Sequence, residues 1–459
     1  MKFERIKTSF KDPDGFVFNY NGNIYRCIRS KSYLKYIDIF NNSFFDKLFE
    51  KNKIINSRLV DNKFYLETDE IEKSDKIVFH EKIIINSEPC DWPFDQLKDA
   101  AIFHLDLEIL LLDNGYCLKD ASAKNIMFKD NNPLFIDILS IEKYLPNTFW
   151  RGQMQFYYEF LNPLLLKSYF DIDYNSWYKS EKEGIKTSDI NKIFTFLQKI
   201  KPSIFFHVFL PSYLEKKEFI LKEGINKKKF SIEKYKFLLK SLKKIIKKLK
   251  LKKIQKNKEW SNYSNFLPYS ESEMDKKKKI VKLFLENNNF KNLIDLGCND
   301  GVFIFLPSNK SNLVGYDINH DCINKCYLQS KTRKENCIFK VKNLSELITE
   351  NKEIKEMDYD ACISLALVHH LRISFNIPLN LILKFILSFS KNGIIEFIDK
   401  RDEKFEKLLS LKIDTYDDYY LDNLLKILKD QNFKIKKISE IKKNKRFLIE
   451  YEKNQLQSK

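Results

Sequence analysis

The residues best suited to chemistry lie between positions 292 and 400. Asn292-Leu293-Ile294-Asp295-Leu296-Gly297-Cys298-Asn299-Asp300-Gly301 is an apolar run that ends in an acid and continues into two glycines. A glycine has no Cβ, so it accepts φ > 0 and lets a ligand approach the backbone. The first N–H groups of a following helix are unpaired donors. A second apolar run, Asn312-Leu313-Val314-Gly315-Tyr316-Asp317, also ends in an acid, which suits a ribose diol held by paired hydrogen bonds. Further on stand His369 and His370, and an unperturbed imidazole titrates near neutrality and can act as a general base. Glu396, inside Gly393-Ile394-Ile395-Glu396-Phe397-Ile398, is a further catalytic candidate.

These residues need elements to hold them. Asn292–Leu296 and Asn312–Asp317 read as the first two buried strands, with a helix over 271–288 before them and one over 319–330 after. Ile338–Val341 is a third strand, ending near Asn343, and the run from Asp360 to Leu367 is a fourth. A helix follows Pro378, the Gly393 run is the fifth strand, and Phe433–Ile438 with Arg446–Tyr451 forms a terminal antiparallel hairpin. Strand and helix in alternation give an α/β, doubly wound, Rossmann-like sheet, whose ligands bind at the carboxyl ends of the strands. The turn lacks the three glycines of the dinucleotide fingerprint, so a cofactor without a pyrophosphate is expected.

The whole set resembles the class I S-adenosylmethionine-dependent methyltransferases. Asp295-Leu296-Gly297-Cys298-Asn299-Asp300-Gly301 matches their first motif, with Asn299 in the place of the usual middle glycine. Leu367-Val368-His369-His370-Leu371 matches the segment that borders cofactor and acceptor. The resemblance implies S-adenosylmethionine as cofactor, held by Asp295, Gly297, Asn299, Gly301, Asp317 and, near adenine, Asn343. Together with Trp92-Pro93-Phe94-Asp95-Gln96-Leu97, Leu118-Lys119-Asp120-Ala121-Ser122 and Phe135-Ile136-Asp137-Ile138-Leu139-Ser140, these motifs are similar to a bacterial, nodulation-associated family of methyltransferase-like proteins. That family pairs an N-terminal domain with a C-terminal methyltransferase, which implies a saccharide or other small-molecule acceptor.

The first half is expected to be an α+β domain. Asn21-Gly22 between two apolar runs predicts a type I′ hairpin. Strands at Lys63–Leu66 and 76–83 suggest a small mixed sheet over 12–85. Trp92-Pro93-Phe94 opens a helix that Asn114-Gly115 stops. Asp120, Asn125 and Asp137 then resemble, in spacing, the catalytic loop and metal-binding segment of protein-kinase-like phosphotransferases. The departures are Leu118 where a His is usual, Ile138-Leu139 where a Gly is usual, no Gly-rich loop, and only Arg26 and Lys82 as stand-ins for the strand Lys. A kinase-like phosphotransferase is the alternative function for this half; a degenerate, nucleotide-binding domain and a loop pinned by its own Asx hydrogen bonds fit as well. The aromatic helix around Trp150–Leu164 reads as core packing.

From 201 to 260 the chain holds nineteen Lys, no Arg and five Glu, with apolar residues at helical spacing from Tyr235 to Leu249. This predicts an amphipathic helix with a solvated Lys face. A polyanion-binding helix, on nucleic acid or a membrane surface, is the alternative; the lack of bidentate Arg disfavours nucleic acid. The expected domains are 1–210 accessory or acceptor-binding, 211–270 a Lys-rich connector, and 271–459 methyltransferase. The net charge of +18 permits an anionic partner without requiring one. Eight scattered cysteines without a CxxC pair point to reduced thiols and no metal site. With no apolar run long enough to span a bilayer and no leader-like start, the expected location is cytoplasmic.

Overall fold

The computed structural model describes all residues except 1–2, 7–8, 10–11, 61–67, 86, 182, 217–229, 252–268, 308–311, 334, 351–357, 411 and 455–459. The strand expected at Lys63–Leu66 therefore lies outside the described residues. The chain divides into two compact units, Met1–Cys90 with Gln96–Lys252, and Asp91–Asp95 with Lys253–Lys459.

The first unit opens with the expected hairpin. Asn21 and Gly22 have φ of 50° and 84°, both left-handed as a type I′ turn requires. Strands β1 (Phe3–Arg5), β2 (Gly15–Tyr20), β3 (Asn23–Ile28), β4 (Ser57–Val60) and β5 (Lys76–His80) form one sheet in the order β1-β2-β3-β5-β4. Every pairing in it is antiparallel, which corrects the mixed sheet expected from sequence. Strand direction is set by the end to which each connection returns, and half-buried alternation looks the same in either direction. Phe16, Phe18, Cys27 and Ile77 make its core. Behind it the helix Phe94–Asp113 leads into β6 (Tyr116–Leu118), which pairs with β9 (Ile141–Lys143); β7 (Ile126–Lys129) and β8 (Asn132–Phe135) form a short hairpin between them.

The Lys-rich helix, Ile232–Lys248, lies within this first unit and buries Tyr235, Leu239, Leu242 and Ile246. The Tyr235 hydroxyl donates to Glu108 Oε1 at 2.6 Å. Glu108 is buried, and burial pushes its carboxyl up to about 7 against that bond and the Leu118 N–H. Lys236 and Lys243 pair with Asp113 and Asp106, so part of the Lys face is neutralised by the helix Phe94–Asp113.

The second unit is a seven-stranded sheet of β10 (Asn292–Leu296), β11 (Asn312–Asp317), β12 (Asn336–Val341), β13 (Ala361–Ser364), β14 (Asn392–Ile398), β15 (Phe433–Lys442) and β16 (Arg446–Lys453). The order is β12-β11-β10-β13-β14-β16-β15. The first five are parallel, while β16 runs antiparallel to both β14 and β15. The chain steps outward from β10 to β12 and returns on the other side of β10 at β13, so the switch point lies between β10 and β13. The helix Glu271–Asn287 is started by a capping box of Ser270 and Glu273. It lays Val281, Phe284 and Leu285 on Leu293, Leu313, Ile363 and Ile394 of the sheet. Asp91–Asp95 also belong to this unit: the Phe94 N–H donates to His320 Nε2 at 2.9 Å, the Asp95 N–H to Asn324 Oδ1 at 2.8 Å, and Lys342 pairs with Asp91 at 2.7 Å.

Gly393, on β14, is needed for lack of space. A Cβ there would lie 2.2 Å from Tyr451 Oη and 2.7 Å from the Cys362 carbonyl oxygen. Backbone cannot yield as a flexible side chain can, so Gly393→Ala should cost ~2–3 kcal/mol. A lower urea midpoint at unchanged far-UV circular dichroism is the expected result; an unchanged midpoint would contradict this packing.

Candidate active site

The turn after β10 is held in left-handed backbone at three places: Gly297, Asn299 and Gly301 have φ of 80°, 48° and 82°. Asn is among the few side chains that enter this region at low cost, which explains how it stands between the glycines. The Gly297 and Cys298 N–H groups donate to the Tyr316 carbonyl at 2.8 and 3.1 Å, fixing the turn to β11. Asp317 completes the joint. Its Oδ2 accepts the Asn299 N–H at 2.9 Å and its Oδ1 the Asn319 N–H at 2.8 Å. Asn319 in turn caps the helix His320–Ser330 through the Asp321 and Cys322 N–H groups. Cys326 Sγ lies 3.2 Å from the Asn299 carbonyl oxygen and Cys322 Sγ 3.4 Å from its side-chain oxygen. A Cβ at Gly297 would sit 3.3 Å from Leu367 Cδ1, so the turn passes directly beneath the chain leaving β13. That chain is itself bent by Ala366, at φ 51°, a conformation uncommon for a residue with a Cβ.

Asp295 ends β10 behind this turn and is buried. Burial, then the negative charge of Asp317, pushes its carboxyl up to about 8, with Lys277 opposing. Asp317 is raised too, first by burial, while the N–H bonds from Asn319 and Asn299 pull it back. Asn343 follows β12 as the cap of the helix Leu344–Thr349. Its oxygen accepts from the Ser345 N–H at 3.1 Å and hydroxyl at 2.7 Å, and its amide donates to Glu346 at 3.0 Å. The side chain is thus engaged locally.

His369 and His370 lie just past β13 with ring centroids 4.1 Å apart. His369 is buried and its Nδ1 has no hydrogen-bond partner among the described residues. Burial, then the charges of His370, Arg446 and Lys277, hold it well below the usual imidazole range. His370 is lowered to about 4, first by burial and then by Lys404. Both rings are neutral at pH 7, hydrogen-bonding groups more than strong bases.

Glu396 is fully buried and sits in a network that the sequence reading missed. Its Oε2 accepts from Lys277 Nζ at 2.7 Å, and its Oε1 from the Tyr269 hydroxyl. Lys277 Nζ also reaches Tyr269 Oη at 3.1 Å and stands 4.7 Å from the Phe303 ring centre. Arg446 lies 4.4 Å over the Tyr269 ring and holds Asp402 with two bonds of 2.7 Å. Lys277 comes from the helix before β10 and Arg446 from the hairpin end. A lysine in an otherwise apolar helical stripe, four positions before Val281, was the available signal.

In the first unit, Asp120 Oδ1 accepts from Asn125 Nδ2 at 3.0 Å and from the Ser140 hydroxyl at 2.8 Å. Arg26, on β3, pairs with Asp137 at 3.0 Å and Asp12 at 2.9 Å. Asp120 is raised by burial and then by Asp137, despite the Ser140 and Asn125 bonds. Lys82 is exposed beyond the end of β5. Of the two stand-ins for a strand lysine, Arg26 is the one brought to the acids.

The strand order with its reversed last pair, and the glycine turn tied to the acid of the next strand, give the second unit the class I S-adenosylmethionine-dependent methyltransferase fold. No protein-family model matches the chain. It is 28% identical over 438 residues to the nodulation protein NoeA of Rhizobium meliloti (strain 1021), spanning 90% of this chain and 89% of that one. Among solved structures, it is similar to the magnesium protoporphyrin IX methyltransferase ChlM from Synechocystis PCC 6803 with bound SAM, at 16% identity over 40% of this chain and 80% of that one, with a TM-score of 0.31. The N-methyltransferase NodS from Bradyrhizobium japonicum WM9 aligns at 9% identity over 40% of this chain and 99% of its own, TM-score 0.32. The bifunctional kinase-methyltransferase WbdD aligns at 19% identity over 42% of each chain, TM-score 0.32.

Removing one partner of a buried ion pair strands the other. Lys277→Met should therefore destabilise the protein by ~3–5 kcal/mol, and Lys277→Met with Glu396→Leu should recover a large part of that loss. A urea-melt double-mutant cycle measures it; additive losses would show that the two side chains do not interact.

Proposed function

We propose that the second unit transfers a methyl group from S-adenosylmethionine to a small-molecule or saccharide acceptor. The observation that carries this reading is the joint at Asp317: the acid suited to a ribose diol also anchors the Asn299 N–H, so turn and acid form one rigid edge at the carboxyl ends of β10 and β11. When bound, the cofactor supplies an electrophilic methyl group on a sulfonium. Gly297 and Gly301 would admit its amino-acid end to the backbone, Asp295 would face its ammonium, and Asp317 would use its remaining lone pairs on the ribose hydroxyls. Leu367 and the paired histidines would border the acceptor, with His369 Nδ1 available to orient an acceptor hydroxyl or amine. The low basicity of both rings favours an acceptor that attacks through its lone pair and loses its proton late. The resemblance of the motifs to a nodulation-associated, methyltransferase-like family keeps a saccharide among the possible acceptors.

Calorimetric titration of the full chain with S-adenosylmethionine tests this reading. Wild type should bind, Asp317→Ala at least tenfold more weakly, and Gly297→Trp not detectably; a well-folded wild type that fails to bind would overturn it. The pH dependence carries its own sign. Asp295 is protonated at neutral pH in the free protein, since its carboxyl sits near 8. A cationic ligand draws off that proton, so affinity should rise roughly tenfold per pH unit between 6 and 7.5. Asp295→Asn should flatten that slope.

The grouping of Arg26, Asp137, Asp120 and Asn125 favours a second reading for the first unit, a nucleotide-binding role. It requires Mg²⁺-dependent ATP binding that Asp137→Ala abolishes and Asp317→Ala leaves intact. Titration without a signal for either nucleotide or metal would remove it.

A further inference from the structure

The first unit carries an apolar surface that neither proposed site uses. On Phe196–Lys199 and the turn after it, Phe196 is 77% exposed, Leu197 78%, Ile200 59% and Phe206 58%, with Phe205 and Phe209 beside them. Taking ~200 Å² for a large apolar side chain, the six expose on the order of 700 Å². The largest apolar patch on a typical monomer is roughly 300–600 Å².

The segment is not loose. Thr195 and Gln198 close a capping box on the short helix Phe196–Lys199. Ile204, Val208 and His207 are buried beneath the patch, and His207 Nδ1 bonds the Tyr157 hydroxyl at 2.8 Å. Phe205–Phe209 is a single π-helical turn that buries His207 and Val208 and leaves Phe205, Phe206 and Phe209 partly exposed. The rings of Phe205 and Phe206 meet at 5.2 Å and those of Phe205 and Phe209 at 5.5 Å, so these three form one aromatic cluster, and their turn neighbours the helix Phe196–Lys199.

Charge selects the occupant. From Ile190 to Leu214 the chain has no Asp or Glu, and its charged residues are Lys192, Lys199 and Lys201. The flanking acids are occupied, Asp189 by Lys192 at 2.8 Å and Glu215 by the Tyr158 hydroxyl at 2.6 Å. Aromatic and aliphatic side chains on a fixed element, with Lys199 and Lys201 among them and no acid within that stretch, match the headgroup boundary of an anionic bilayer. A self-complementary protein interface would gain nothing from a fringe of one sign, because two copies would bring like charges together. Among the described residues no helix is long and apolar enough to cross a membrane, so attachment would be peripheral. We propose that the surface formed by Phe196, Leu197, Ile200 and Phe206 with Lys199 and Lys201 docks this protein on the surface of an anionic lipid bilayer.

Co-sedimentation of the full chain with vesicles tests it. Wild type should pellet with phosphatidylcholine vesicles containing 30% phosphatidylglycerol and at least tenfold less with pure phosphatidylcholine. Phe196→Ser/Leu197→Ser/Phe206→Ser and, separately, Lys199→Glu/Lys201→Glu should each weaken binding at least tenfold at an unchanged melting temperature. Leu197→Trp, a tolerant change at so exposed a position, should show a blue-shifted emission with the anionic vesicles. Three results would overturn the proposal: no vesicle binding by wild type, full binding by the triple variant, or no shift from Leu197→Trp. A wild-type dimer in sedimentation that the triple variant dissociates, without vesicle binding, would assign the surface to a second copy instead.

Discussion

A carboxylate carried into the interior of a sheet must bring its cation with it, and the second unit is organised by that requirement. Glu396 sits on a central strand with no access to water, and its charge is met by Lys277 from the helix before β10 and by the Tyr269 hydroxyl. Asp402 is met in the same way by Arg446. An unpaired buried charge would cost several kcal/mol, more than most single packing contacts return. The pairs therefore fix where the helix Glu271–Asn287 lies, and with it the wall beside Asp295. The terminal hairpin is bound into the same arrangement, because Arg446 begins β16 and its guanidinium covers the Tyr269 ring.

The edge that the methyl-transfer reading gives to the cofactor depends on a second economy of groups. Asp317 has both oxygens engaged by backbone N–H donors. The bond to Asn299 ties the middle of the three left-handed positions to the end of β11. The acid's position is consequently insensitive to side-chain rotation, which is what a diol-binding group needs. Asn343 follows the opposite pattern, being consumed by its own helix cap.

Much of this was legible from residue pattern. The succession of strands, the turn at Gly297–Gly301 and the helix before β10 follow from apolar runs closed by Asp295 and Asp317, from glycine spacing, and from helical periodicity over 271–288. These are local signals, carried by residues close in sequence. The network around Glu396 was not legible, since its members come from positions 269, 277, 396, 402 and 446 and meet only through the sheet. Strand direction in the first unit escaped for a related reason: alternation reports burial, and direction is decided by connections. The histidines were readable as residues but not as bases, because their titration depends on burial and on two cations that folding brings near.

On the methyl-transfer reading, the pairing also sets the field in which the reaction would run. A sulfonium donor arrives positive, and its charge is spread between sulfur and acceptor as the methyl moves. A site with a strong net negative charge would bind that donor tightly but would stabilise the ground state more than the transition state. Here Lys277 offsets Glu396 and Arg446 offsets Asp402, and Asp295 is neutral before anything binds. Asp295 is the carboxylate that would ionise on binding, at the amino-acid end of the proposed ligand and away from the transferring group. The two buried ion pairs thus add little net charge around the methyl group, which favours charge dispersal over tight binding of the sulfonium itself.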